Sequence, residues 1–182
     1  MEKIQLNAVA RETGKKGANA SRKAGLVPCV LYANGVAPVY FAIDDLNLKP
    51  LIYTNKKVIA HLDFEGQSHD CILKAVDFHP TTDRPIHCDF QALVPGKLIR
   101  TSVPVHTVGT PKGVTAGGAM KKVIFKAMVE CMPENLPTHI AVDVTSLEIG
   151  KDVRIRDLSI EGITFLTDRN QTIARVITKR VR

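Results

Sequence analysis

The chain has 182 residues, 45% of them hydrophobic and 24% charged, which suits one large or two small folded domains and excludes a disordered protein. A formal net charge of +7 favours a polyanionic partner. The first residues, M-E-K-I-Q-L-N, lack the apolar core of a signal peptide, and four cysteines without C-x-x-C spacing give no zinc or redox motif.

Taken in order, Ile4 to Val9 alternates roughly and predicts a first strand. Arg11 to Lys23 reads as a basic, glycine-punctuated loop with Lys15 and Lys16, ending in a short helical turn that carries Ser21, Arg22 and Lys23. Gly25 supplies the helix stop. Pro28 to Tyr32 and Val39 to Ile43 predict two strands joined by an Asn34-Gly35 turn. The uncharged run from Leu26 to Ile43 has the length of a membrane span, but Pro28, Asn34, Gly35 and Pro38 break it, so a soluble, cytoplasmic chain is expected. Asp44 to Tyr53 reads as a helix through Leu46, Leu48, Leu51 and Ile52, although Pro50 weakens it. Val58 to Phe64 and Cys71 to Phe78 predict a hairpin across Glu65-Gly66-Gln67-Ser68.

The next stretch, D-F-H-P-T-T-D-R-P-I-H-C-D-F from Asp77 to Phe90, carries the most information. Pro80 and Pro85 bracket a polar turn, and a strand follows to Ala92. Side chains alternate along a strand, so Ile86, Cys88 and Phe90 face a core while His87 and Asp89 share the outer face. No packing need explains a histidine and a carboxylate there, although the segment taken alone reads as a turn residue and a solvated strand residue. Cys29, Cys71 and Cys88 lie in apolar strand patterns and are read as buried free thiols. Six strands with short helices predict a small antiparallel β-barrel over residues 1–93.

Val94-Pro95-Gly96 marks a boundary to a second, predominantly β domain over residues 94–182. Its expected strands are Lys97 to Val108, Val123 to Cys131, Ile140 to Val144, Val153 to Ile155 and Thr172 to Ile177. The Gly109 to Gly118 loop lacks the G-K-[ST] ending of a phosphate cradle and reads as a wide β-turn or interaction loop. Charge is uneven: +4 over residues 1–43, −3 over 44–92 and +6 over 93–182, with Arg169, Arg175, Lys179, Arg180 and Arg182 forming an acid-free tail. Two basic zones around a mildly acidic middle suit a protein that presents chosen faces to RNA.

The basic loop and helix, G-L-V-P-C-V-L-Y, and the distant H-P…H-C-D-F together resemble the bacterial large-subunit ribosomal protein family that binds 5S rRNA, in its two-domain general stress protein Ctc form. G-T-P-K-G-V-T-A-G-G (109–118), M-P-E-N-L-P (132–137) and V-D-V-T-S-L-E-I-G (142–150) extend the resemblance over essentially the whole chain. The resemblance implies a structural ribosomal protein, not an enzyme, with no cofactor and no metal, monomeric within the ribosome. By matching positions, Arg11, Lys15, Lys16, Ser21, Arg22 and Lys23 would grip the RNA backbone, where arginine can fork onto phosphate oxygens. Tyr32, His87 and Asp89 would form the barrel surface that touches the RNA. A carboxylate repels phosphate, so Asp89 makes sense there as an acceptor for base amino or imino groups. Many relatives carry an Arg-Arg pair where this chain has Asn19 and Ala20, which removes two phosphate contacts. The basic tail reads either as a solvated end or as a contact to 23S rRNA or a neighbouring ribosomal protein, which are further candidate partners.

Two other readings compete. His79, His87, Cys88 and Asp89 can be drawn as a metal or hydrolase cluster, but His87 and Cys88 face opposite sides of a strand and no H-E-x-x-H is present. A stress-response RNA-binding protein that is not permanently on the ribosome is the alternative function.

Overall fold

A computed structural model describes residues 3–33, 36–64 and 66–178. It divides into two compact units, one ending at Lys97 and the other beginning at Leu98. Both are mainly β, as the sequence predicts.

The first unit contains β1 (Lys3–Asn7), β2 (Val9–Ala10), α1 (Gly14–Lys23), β3 (Leu26–Ala33), β4 (Val36–Asp44), α2 (Asp45–Ile52), β5 (Ile59–Phe64), β6 (Gln67–Phe78) and β7 (Pro85–Ala92). The strands form one sheet in the order β1-β5-β6-β7-β3-β4-β2. Its two ends are consecutive in the chain, with only Ala8 between them, and the Ala8 N–H still donates to Asp63 O on β5 at 3.2 Å. One short segment therefore pairs at both edges, and the sheet has to curl into a barrel to allow it. The predicted Ile4–Val9 strand is this bent segment, so the expected six strands are present. They are not all antiparallel: β1 runs parallel to β5, and β3 parallel to β7. Alternation in a sequence assigns faces but carries no information on strand direction.

Helix α1 begins earlier than predicted, so Lys15 and Lys16 are helical rather than in a loop. Gly17 is the reason the turn can close here: a Cβ on it would lie 2.0 Å from Glu12 O. Gly25, at φ 79°, ends the helix as expected, with its N–H on Arg22 O. Helix α2 is capped by Asp44, whose carboxylate accepts from Leu46 N–H at 3.0 Å. Pro50 is tolerated on its exposed side, while Leu48 and Leu51 are buried.

The barrel core is built around Phe41, whose ring centroid lies 5.9 Å from that of Phe90 and 6.1 Å from that of Phe64. Cys29, Cys71 and Cys88 are fully buried free thiols, and Cys29 sits opposite Cys88 across the parallel β3–β7 pair. Ile86 departs from the expected inward set and is only half-buried. The register shifts between Asp77 and Phe78, so Phe78 pairs with Pro85 and Asp77 with His87, leaving Ile86 as the extra residue of a bulge. The Asn34-Gly35 turn lies outside the described residues, as does Glu65 of the hairpin turn; Gln67 and Ser68 already belong to β6.

The second unit contains β8 (Ile99–Val108), α3 (Lys112–Thr115), β9 (Gly118–Lys122), β10 (Lys126–Cys131), β11 (Ile140–Asp143), β12 (Asp152–Arg154), β13 (Ile163–Phe165) and β14 (Thr172–Thr178). Its described strands form a four-stranded sheet, β11-β8-β10-β13, and a three-stranded one, β12-β14-β9. The predicted Val123–Cys131 strand starts only at Lys126, because Val123 and Ile124 donate to Ile173 O while the chain crosses from one sheet to the other. The Gly109–Gly118 loop holds a helical turn, α3, rather than a simple wide β-turn. Gly113 N–H donates to Leu147 O at 2.8 Å, and a Cβ on Gly113 would lie 2.7 Å from Ile149 N. The loop thus packs backbone-to-backbone on the 142–150 segment, which needs glycine at the contact.

Candidate nucleic-acid interface

Strands β3, β4 and β7 bring the outward residues together. Across the parallel pair Val30 is opposite Asp89 and Tyr32 opposite Gln91, and across β3–β4 Val30 is opposite Tyr40. Cross-strand partners share a face, so Asp89, Gln91, Tyr32 and Tyr40 lie on one patch of the barrel exterior. Tyr32 and Tyr40 are both exposed there. Burial and then the neighbouring Asp89 carboxylate and Tyr40 raise the Tyr32 phenol above its ordinary value, which keeps it a protonated donor.

Asp89 Oδ1 lies 2.9 Å from His87 Nδ1, within ion-pair distance but off hydrogen-bond alignment. This buried oxygen and Gln91 Oε1 both lack a hydrogen-bond donor among the described residues. Two acceptors short of donors on one strand face form an unusual feature, since buried polar atoms are normally satisfied. The Asp89 side chain is still 32% exposed, so an outside donor can reach it.

Helix α1 places the basic residues next to this patch. Lys15, Lys16, Asn19, Arg22 and Lys23 are exposed, while Gly17 and Ser21 form the buried side. Arg22 Nε donates to Ile86 O at 3.1 Å, and one of its terminal nitrogens donates to Asn19 Oδ1 at 3.2 Å. The first bond ties the helix to the residue before His87. The second gives Asn19 a part: it steadies the Arg22 guanidinium and leaves its remaining N–H groups for another acceptor.

Two predicted residues are placed differently from the rest. Ser21 is buried, and its hydroxyl donates to Gly17 O at 2.9 Å inside the helix. It faces inward because the helix starts at Gly14 and sets positions 17 and 21 one turn apart on the same side. Arg11 is half-buried and strapped to the barrel through Phe41 O, Glu12 O and Cys29 O, with its guanidinium 5.3 Å from the Tyr40 ring centroid. It therefore holds the start of α1 and the tyrosine more than it extends to solvent.

Sequence reasoning missed Tyr40, Asn19 and Gln91. The period-2 pattern carried a signal for two of them, since Tyr40 alternates with Phe41 and Gln91 lies two residues beyond Asp89. Of the His79, His87, Cys88 and Asp89 grouping, Cys88 lies in the core, on the face of β7 away from His87 and Asp89. Among the described residues no helix is long and apolar enough to cross a membrane, and the uncharged Leu26–Ile43 run is β3 and most of β4. In the second unit Arg175 is opposite Lys121 on β14 and β9, while Lys179, Arg180 and Arg182 lie outside the described residues.

Residues 6–90 match the Ribosomal L25p family, and residues 98–180 match the family described as ribosomal protein TL5, C-terminal domain. The chain is 36% identical over 182 residues to the large ribosomal subunit protein bL25 of Carboxydothermus hydrogenoformans, covering 99% of this chain and 91% of that one. It is 35% identical over 179 residues to the protein of the same name from Pelodictyon phaeoclathratiforme, with 98% and 90% covered. The bL25 of Christiangramia forsetii is 34% identical over 182 residues, with 99% and 83% covered.

Proposed function

The chain belongs to the ribosomal L25p family, in the form that carries a TL5-type C-terminal domain, and from that premise we propose that its first domain, residues 1–93, binds 5S rRNA. Membership makes it a structural, non-enzymatic constituent of the large ribosomal subunit, a cytoplasmic particle. The 5S assignment rests on one observation above the others: Arg22 joins the exposed basic side of α1 to the strand that carries His87 and Asp89. A phosphate-gripping surface and an acceptor-rich surface then lie side by side, which is the pairing that RNA recognition requires.

Lys15, Lys16, Arg22 and Lys23 supply backbone contacts in this reading. Tyr32 and Tyr40 offer rings and phenolic O–H groups, and Asp89 and Gln91 offer acceptors to base amino or imino groups. Ser21 and Arg11 support the helix rather than the RNA. A-form RNA hides its major groove and leaves its wide minor groove open, so base contacts are assigned to the minor groove or to an irregular stretch where bases are exposed. Residues 94–182 form the second domain, and contact with 23S rRNA or a neighbouring protein is assigned to it.

The test is a salt series of 5S rRNA binding by the full chain. With about four to six phosphate contacts, log affinity should fall with log salt at a slope of roughly −3 to −5. Binding to 5S rRNA no tighter than to an unrelated duplex of equal length would overturn the assignment.

A further inference from the structure

The second unit carries a cleft of about 330 Å³ between the 155–160 turn and β13, lined among others by Arg156, Arg169, Ser159, Thr164, Ile163 and Phe165. Its size is at the lower end of small-molecule sites, roughly 300–1,000 Å³, which suits one small planar group and excludes a helix. The two arginines start from touching backbones: Arg156 N–H donates to Arg169 O at 2.9 Å. Both arginines line the cleft, so it presents two positive charges to whatever enters it.

The acids of this stretch offset that charge only in part. Asp157 Oδ2 is taken by Arg154 N–H at 2.8 Å, and its other oxygen is 3.7 Å from Arg156 Nε. Asp168 Oδ1 accepts from Asn170 N–H at 3.0 Å. Neither aspartate lines the cleft, and Glu161 is not part of the lining either. The lining combines the two arginines and the hydroxyl-bearing Ser159 and Thr164 with Phe165 and with aliphatic residues from both the turn and β13.

We propose that this cleft takes a single unpaired nucleotide, with its phosphate on Arg156 and Arg169 and its base against Phe165 and Ile163. Arginine suits both parts of such a ligand, because it forks onto phosphate oxygens and also stacks on planar rings. Splayed-out bases of single-stranded RNA are bound in this manner, and a free mononucleotide presents the same chemistry. An acidic peptide would satisfy the arginines but would leave the aromatic wall without a planar partner. The site lies wholly in the second unit and stands or falls independently of the 5S rRNA reading.

The experiment uses the full chain, isotope-labelled, with amide shifts followed during titration by AMP, by a short single-stranded oligoadenylate and by adenosine. Shifts centred on residues 155–169 with AMP or the oligomer are expected, and adenosine should bind about tenfold more weakly for want of the charge-assisted contacts. Response to the oligomer alone identifies the source as RNA, and response to AMP identifies a free nucleotide. Replacing Arg156→Ala and Arg169→Ala together should weaken binding about tenfold or more. If the pair disturbs folding, Arg169→Ala alone, at an exposed position, gives the same reading. Shifts that map elsewhere, unchanged affinity in the arginine variants, or tighter occupation of the cleft by a polyglutamate peptide would each overturn the proposal.

Discussion

Arg22 and Ile86 are 64 residues apart in sequence and are joined by a 3.1 Å hydrogen bond from guanidinium Nε to a main-chain carbonyl. The same side chain leans on Asn19 and keeps donors free on its outer edge. Arg22→Ala should weaken binding to all RNAs about evenly and reduce the salt slope by nearly one. Arg22→Lys keeps the charge but loses the fork, so it should restore the slope without restoring full affinity. Filter binding at four salt concentrations would reveal whether the two variants separate in this way.

Asp89→Ala should act on specificity instead. Loss of a base-reading acceptor should cost about 1–3 kcal/mol on cognate 5S rRNA and little on unrelated RNA. Uniformly tighter binding to every RNA would instead mark Asp89 as a bystander charge.

Gly17→Ala tests the helix. The added methyl has no room against Glu12 O, so α1 must shift, at a cost of about 1–3 kcal/mol by analogy with overpacking. A lowered urea midpoint together with weaker RNA binding is expected. An unchanged midpoint would show that the helix adjusts freely.

On the strands that run on from β7, His61 of β5 and Lys3 of β1 hold Asp70 of β6 at 2.7 Å and 2.9 Å, and the hydrogen bond from His61, more than that from Lys3, lowers its carboxyl below the usual range. A depressed carboxylate stabilises the fold above its unfolded pKa, about 3.9, and that contribution disappears as pH falls through the folded value. Asp70→Asn should therefore flatten the acid limb of the stability curve below about pH 4. At neutral pH its cost should stay below about 1 kcal/mol, since the pair is solvent-screened. Urea midpoints across a pH series would measure both effects.

Much of the barrel was legible because its strands alternate: Cys88 and Phe90 go inward, His87 and Asp89 outward. What alternation could not supply was direction, hence the two parallel pairs, or the bulge that moves Ile86 out of the core. Ser21 counts as a contact residue through the family resemblance alone, and the glycines at 14 and 17 conceal how early the helix begins. A helical start at Gly14 turns that residue inward. In the second unit, β9 and β13 were missed for physical reasons. One begins in a glycine pair, and the other is three residues long and follows directly on Gly162, which reads as a turn. Arg156 and Arg169 come together only through a long-range backbone bond, and no spacing in the sequence announces it.

The closure of the barrel by residues 3–10 has a consequence for synthesis. The chain's first strand waits for β5, and β3 waits for β7 as its parallel neighbour, so the pairings that close the sheet are those most distant in sequence. Such non-local pairing is slow to form. The patch made by Tyr32, Asp89 and Gln91 cannot exist on a nascent chain until residue 91 has left the exit tunnel. A copy truncated before that point has the basic helix sequence but no face beside it, and it should attract RNA without discriminating among RNAs.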